Sequence, residues 1–261
     1  FWGNFFKEFF RCMELSVFAW PEVVCPEDFE ICCDAEPVLL NQATPQGGVY
    51  TGEHVELIGD AYFFVPDCDA TGDFLINYTY TTGGDCSSSC EFTITVNEIP
   101  AVACMDNFEI CCNTDPVLLS GSVPEGGAYS GNGVVMMGED YYFEPDCMVL
   151  GDQVITYTYM DENGCDNACE FIITVNPAPV VSITGDLGPV CPGTELTYSG
   201  PDGLSGYEWT VSGNAEISGA SDLQTVEVLA GQACGDSFTL SLMVTDENMC
   251  MASADIMVLV Q

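Results

Sequence analysis

The chain has 261 residues, with 41 Asp and Glu against two basic residues, Lys7 and Arg11, so its formal net charge at pH 7 is −39. No basic patch is present to neutralise phosphates, which excludes nucleic-acid binding, and an anionic membrane surface would repel the chain. Yet 48% of the residues are hydrophobic and 11% aromatic. Disorder goes with low hydrophobicity as well as high charge, so this chain folds around a core.

The first segment, 1–20, reads FWGNFFKEFFRCMELSVFAW and holds both basic residues. Trp2, Phe5, Phe6, Phe9 and Met13 follow helical spacing. Lys7, Glu8 and Arg11 interrupt the apolar stretch that a signal peptide needs. The expectation is a short helical segment. It is a docking element that presents Trp2, Phe5, Phe6 and Phe9 to a neighbouring subunit or domain, a helix packed on the first sandwich, or the end of a preceding domain. No run of about 20 apolar residues occurs anywhere, so no helical membrane span is expected.

Residues 21–100 and 101–179 are a tandem repeat. Cys25, Cys32, Cys33, Cys68, Cys86 and Cys90 recur as Cys104, Cys111, Cys112, Cys147, Cys165 and Cys169, each 79 residues later. Aligned without a gap over 25–100 and 104–179, 37 of 76 positions are identical. FEICC, PVLL and CEF-ITVN occur in both copies. Within each repeat Phe92, Ile94, Val96 and Phe171, Ile173, Val175 alternate at period two, which puts one face of a strand inward. FLINYTYTT and QVITYTYMD are rich in β-branched and aromatic residues. The pairs Gly47–Gly48 and Gly126–Gly127 supply turns. Short strands at intervals of about ten residues predict an antiparallel β-sandwich.

Residues 180–261 predict a third β domain of different sequence, in which Tyr207, Trp209 and Val211 share a face. The Pro-containing joints NEIPAVA and NPAPVV mark the boundaries and predict semi-rigid connections. The chain starts abruptly and ends on a strand, as an excerpt of a longer array would, or a subunit completed by its neighbours. The predicted fold class is all-β: tandem Ig-like antiparallel sandwiches, rich in disulfides.

Sixteen Cys among 261 residues point to an oxidising, extracytoplasmic compartment. Zinc is disfavoured, because the chain has one His, His54, and no paired CxxC knuckle. Strand parity turns Cys33 and Cys90 inward and Cys32 outward. Adjacent Cys32 and Cys33 do not meet disulfide geometry without strain. The expectation is three bridges inside each repeat, made by its own six Cys, and a bridge between Cys191 and Cys250 in the third domain. Cys12 and Cys234 then remain, to pair with each other, between domains or between chains.

The acidic residues are spread along the chain rather than gathered in a tail. Asp161, Glu162 and Asp166, and likewise Asp67, Asp69 and Asp73, offer hard oxygen ligands of the kind calcium takes, without the EF-hand spacing. The bland reading of such clusters is hairpin tips and solvated surface. No cofactor is required, and calcium is the ion the composition invites. His54 falls where the second repeat has Gly133, so it reads as incidental, and no catalytic motif occurs. An enzyme is not expected.

The strings GGVYTG and GGAYSG, YTY, NGC and ITVN occur in a fixed order over 25–179. This stretch resembles the Ig-like repeats of large secreted Bacteroidota surface adhesins, of the gliding or attachment type exported by the type nine route. The third domain, with CPG, YEWTVSGNAEI and MVTDENMC, is similar to the PKD-like domains of the same proteins. The resemblance implies Ig-like sandwiches, an extracellular cell-surface location and no catalysis. Six Cys per repeat and the near absence of Lys and Arg depart from the usual pattern. The functional expectation is a structural or adhesive protein, part of an extracellular fibre or filament. Its partners would be neighbouring copies or further domains of the same chain, with a surface glycan or protein ligand. The alternatives are a carbohydrate- or ligand-binding accessory module of a secreted enzyme and an acidic, calcium-gathering matrix protein.

Overall fold

The computed structural model describes residues 20–83 and 86–261. Trp2, Phe5, Phe6, Phe9 and Cys12 lie outside the described residues. Among those described, every regular element is a strand, β1 to β20. The chain divides into two compact units. The first holds the chain up to Ala103, with Val123–Gly127 and Thr158–Ala168. The second holds Cys104–Ser122, Ala128–Tyr157 and Cys169–Gln261.

In the first unit, β1 (Phe29–Cys32), β7 (Ser87–Asn97), β6 (Gly72–Thr81) and β3 (Val49–Thr51) form one sheet in that order. β2 (Val38–Leu39), β5 (Ala61–Phe64) and β4 (Val55–Ile58) form the other. β6 and β7 are a long antiparallel hairpin, and β1 runs parallel to β7, with Ile31 opposite Val96. The alternation read from the sequence sets the core. Phe92, Ile94 and Val96 of β7 and Ile76 and Tyr78 of β6 are buried with Phe64 of β5 and with Leu40, which follows β2. Cys33 is 3% exposed while Cys32 is only half-buried, the parity expected of them.

A tyrosine pair closes the turn at the open end of β3. The Tyr50 hydroxyl accepts from Ala43 N at 3.0 Å, and the Tyr78 hydroxyl accepts from Gly48 N at 2.8 Å while donating to the Pro45 carbonyl. Their rings lie 4.5 Å apart. The ring of Tyr78 occupies the space where a Cβ on residue 48 would stand, so glycine is required there. The second repeat carries the same device in Tyr129 and Tyr157, 4.6 Å apart.

In the second repeat the sheet order is β10 (Ala128–Gly131), β13 (Gly151–Met160), β14 (Asp166–Asn176), β8 (Phe108–Cys111). The opposing sheet is β11 (Val134–Met137), β12 (Asp140–Phe143), β9 (Val117–Leu118). The third sandwich pairs β15 (Glu195–Ser199), β18 (Thr225–Ala230) and β17 (Ala215–Ile217) in one sheet. Its other sheet is β16 (Gly206–Gly213), β19 (Ser237–Thr245) and β20 (Met251–Leu259). Its first strand is reduced to a single parallel bridge, Val190 to Val260. Strand for strand this is the connectivity of the repeats, with unrelated sequence. Trp209 is 2% exposed, with Tyr207 and Val211 packed beside it, and its indole N–H donates to the Leu223 carbonyl at 2.9 Å. The expected all-β, disulfide-rich Ig-like sandwich architecture is therefore what the structure has.

Candidate functional site: the cysteine bridges

Each repeat holds two internal bridges at matching places. Cys25–Cys90 and Cys104–Cys169 each span 65 residues and tie the segment before the first strand to the last strand. Cys33–Cys68 and Cys112–Cys147 each span 35 residues and tie the end of the first strand to the loop before the long hairpin. The inward parity of Cys33 and Cys112 places their sulfurs under the sheet, where that loop returns.

The third bridge of each repeat is not internal, which corrects the expectation of three. Cys32 bonds Cys165, 133 residues away, in the hairpin tip Thr158–Ala168 of the first unit. Cys111 bonds Cys250, 139 residues away, inside the second unit. Cys250 is therefore not the partner of Cys191, a second correction. The reason is positional. Cys32 and Cys111 stand at the ends of strands where the chain leaves the sandwich, facing outward, and their partners stand at the hairpin tips of the succeeding domain. Cys86, equivalent to Cys165, is disulfide-bonded as well. Cys191 and Cys234 are free and exposed.

The receiving tips are built alike. Asp161 Oδ1 accepts from Asn163 N at 3.0 Å and from Cys165 N at 2.9 Å. Asp246 Oδ1 accepts from Asn248 N at 2.9 Å and from Cys250 N at 2.8 Å. The aspartate thus holds the turn and points the cysteine backbone, as an Asx turn does. Neighbouring polar contacts tighten both junctions. Asn167 Nδ2 donates to the Pro100 carbonyl at 3.0 Å in the first unit, and Asn113 Nδ2 to the Met251 carbonyl at 2.8 Å in the second.

The acidic residues meet neutral donors. Residues 20–261 contain no Lys or Arg. On the outer face of the large sheet, Thr95 Oγ1 donates to Asp73 at 2.7 Å and Asn97 Nδ2 to Glu30 at 2.9 Å. The second repeat repeats both contacts, Thr174 to Asp152 at 2.7 Å and Asn176 to Glu109 at 2.8 Å. Asp67 and Asp146 hold their own loops by accepting from Asp69 N and Met148 N. Of the proposed calcium residues, Asp161 is engaged at the tip in this way, and Glu162 and Asp166 are exposed beside it. Among the described residues no cluster of three or more His, Cys, Asp or Glu is placed to hold a metal ion. Among the described residues no helix is long and apolar enough to cross a membrane.

His54 takes a left-handed backbone, φ 59°, where its equivalent Gly133 has φ 84°, and its ring packs edge-on to Phe74 at 4.9 Å. It serves the turn and the core edge. Open clefts indent the surface of each unit. One, of about 370 Å³, is lined by Asn132, Phe143, Glu144 and Asp146 of the second unit. Another, of about 440 Å³, is lined by Tyr50, Tyr62 and Tyr78 of the first. Burial pushes the Tyr50 hydroxyl above its ordinary pKa, and burial together with the nearby Asp186 charge does the same for Tyr198.

No family model matches the chain, and no curated protein matches it. Among solved structures it is similar to extracellular modules of the Ig and cadherin kinds. The mouse cadherin-23 EC22–24 structure shares 10% identity at a TM-score of 0.30, over 91% of this chain and 96% of that one. The insect immune protein hemolin shares 13% at 0.28, over 92% and 75%. The human desmocollin-1 ectodomain shares 10% at 0.28, over 90% of this chain, which spans 60% of that ectodomain's length.

Proposed function

We propose that this chain is a run of modules in an extracellular structural or adhesive array at a cell surface, part of a fibre or filament that associates with further domains or copies of its own kind. The observation that carries the reading is the pair of bridges Cys32–Cys165 and Cys111–Cys250, which run from one sequence domain into the next. An enzyme gains little from welding successive domains, whereas a load-bearing array gains directly. A bridge shields the chain between its two cysteines from extension, so force is routed through covalent bonds at the joints. The internal bridges protect each small core against unfolding and proteolysis.

The resemblance of 25–179 to Bacteroidota adhesin repeats, and of 180–261 to PKD-like domains, favours the same reading and an export route of the type nine kind. The role is mechanical and non-catalytic. In this reading salt or calcium screens the carboxylates of the array. A sugar-binding accessory module has less support. Among the described residues Trp20 is the one exposed large aromatic side chain, and stacked sugars need an aromatic platform. Electron microscopy of the native full-length assembly tests the proposal. Extended filaments are expected, and monodisperse single particles would overturn it.

A further inference from the structure

The three sandwiches share one register at the place where the chain leaves them. Val96, Val175 and Val260 each follow a tip cysteine by ten residues, after Cys86, Cys165 and Cys250. Each of these valines is buried at the end of the last strand. Each has a parallel partner on the first strand: Ile31, Ile110 and Val190. The residue after that partner is Cys32, Cys111 and Cys191. Two of these three equivalent cysteines bond the hairpin tip of the succeeding domain. The third, Cys191, is exposed and free.

The hydrogen bonding confirms the equivalence. Val190 N donates to Leu259 O at 2.9 Å and Gln261 N to Val190 O at 2.7 Å, so Cys191 stands beside Gln261 as Cys32 stands beside Asn97. Burial agrees. Val190 is 5% exposed and Cys191 faces out, the alternation of Ile110 and Cys111.

We propose that Cys191 is a third outward linkage cysteine, which forms a disulfide with the tip cysteine of a further sandwich module bearing the Asp-x-x-x-Cys turn seen at 161–165 and 246–250. The inference rests on the array reading above. Tip cysteines Cys86, Cys165 and Cys250 of this chain are already bonded, so the partner is a module beyond these three. Bond formation removes one proton from each thiol and two electrons in all. A low-molecular-weight disulfide of the oxidising compartment accepts them and is reduced to two thiols. The route is thiolate attack, a mixed disulfide, then displacement by the second thiolate.

Disulfide mapping of the native full-length material tests this. After alkylation without reductant, digestion and mass spectrometry, the Cys191 peptide is expected joined to a peptide carrying Asp four residues before its cysteine. Recovery of Cys191 as an alkylated thiol, or bonded to Cys234, overturns the proposal. A second measurement uses the 261-residue chain with Cys234→Ser and oxidised glutathione as the probe. The folded chain is expected to take up glutathione at Cys191, and a Cys191 that reacts only after unfolding contradicts the outward position. Filaments in which Cys191 is unlinked sink this linkage and leave the array standing. Linked Cys191 in material without filaments does the reverse.

Discussion

Cys111 and Cys250 are bonded with their Cα atoms 5.5 Å apart, although 139 residues separate them in the chain. The bridge joins the end of the first strand of the second sandwich, beside Asn176 where the last strand leaves it, to the hairpin tip of the third. Cys32 and Cys165 repeat the relationship at the same Cα separation of 5.5 Å in the first unit. A structure that places the same bond twice, at equivalent positions in unequal sequences, has a joint rather than an accident of proximity.

Loss of such a joint should be measurable. Cys111→Ser with Cys250→Ser should lower the stability of the second unit by about 2–4 kcal/mol, the typical contribution of one disulfide. Calorimetry reads the shift. The single Cys250→Ser variant should expose one additional thiol to alkylation, at Cys111.

The aspartate of the receiving tip should matter separately from its charge. Asp246→Ala removes the acceptor for two backbone N–H groups and should cost about 1–2 kcal/mol, while Asp246→Asn keeps an acceptor and should cost less. Denaturant titration of the two variants distinguishes turn chemistry from electrostatics. Equal loss in both would point to the charge.

Trp209 is the largest fully buried side chain of the third sandwich. Trp209→Ala should destabilise it by about 3–5 kcal/mol, through lost burial and the cavity left behind. The Leu223 carbonyl also loses its indole donor. Unfolding followed by far-ultraviolet circular dichroism should show this loss.

Alkali should unfold the protein through its buried tyrosines. Tyr50 and Tyr198 have raised pKa values in the folded state, so folded protein holds these protons more tightly than unfolded chain does. Their contribution is intact below the ordinary tyrosine pKa of about 10 and is lost as pH rises through the folded values. Absorbance titration near the tyrosinate band should show two late-titrating groups. Tyr50→Phe should remove one of them.

Mutual repulsion of 41 carboxylates against two bases should make stability rise with ionic strength. Melting temperature in increasing sodium chloride checks this. Calcium at matched ionic strength separates screening from binding. A further rise with calcium, reversed by chelator, supports bound ions, and identical melting supports screening alone.

Much of the fold was legible in the sequence because its signals are local. Period-two alternation in Phe92, Ile94 and Val96 names the inward face without knowledge of what lies opposite, since successive side chains on a strand point to opposite sides. The same parity told Cys33 from Cys32. Tandem identity between the repeats told which residues share an environment, as the paired contacts of Asp73 and Asp152 bear out. It also exposed His54 as the counterpart of Gly133.

What the sequence could not decide was which cysteine meets which. Parity sets the side of a sheet on which a sulfur lies, but a disulfide needs two Cα atoms within about 7 Å, and that distance is set by tertiary return of the chain. Parity therefore turns Cys32 outward without naming its partner. The partner is Cys165, because the hairpin tip of the next repeat stands where Cys32 points. The sequence by itself determined the all-β class, the tandem repeat, the net charge and the density of cysteines, each a matter of composition or local period. The tertiary structure alone decided that Cys32 meets Cys165 and Cys111 meets Cys250, and that Cys191 shares the strand register of Cys32 and Cys111, because register and loop return bring together residues far apart in the chain.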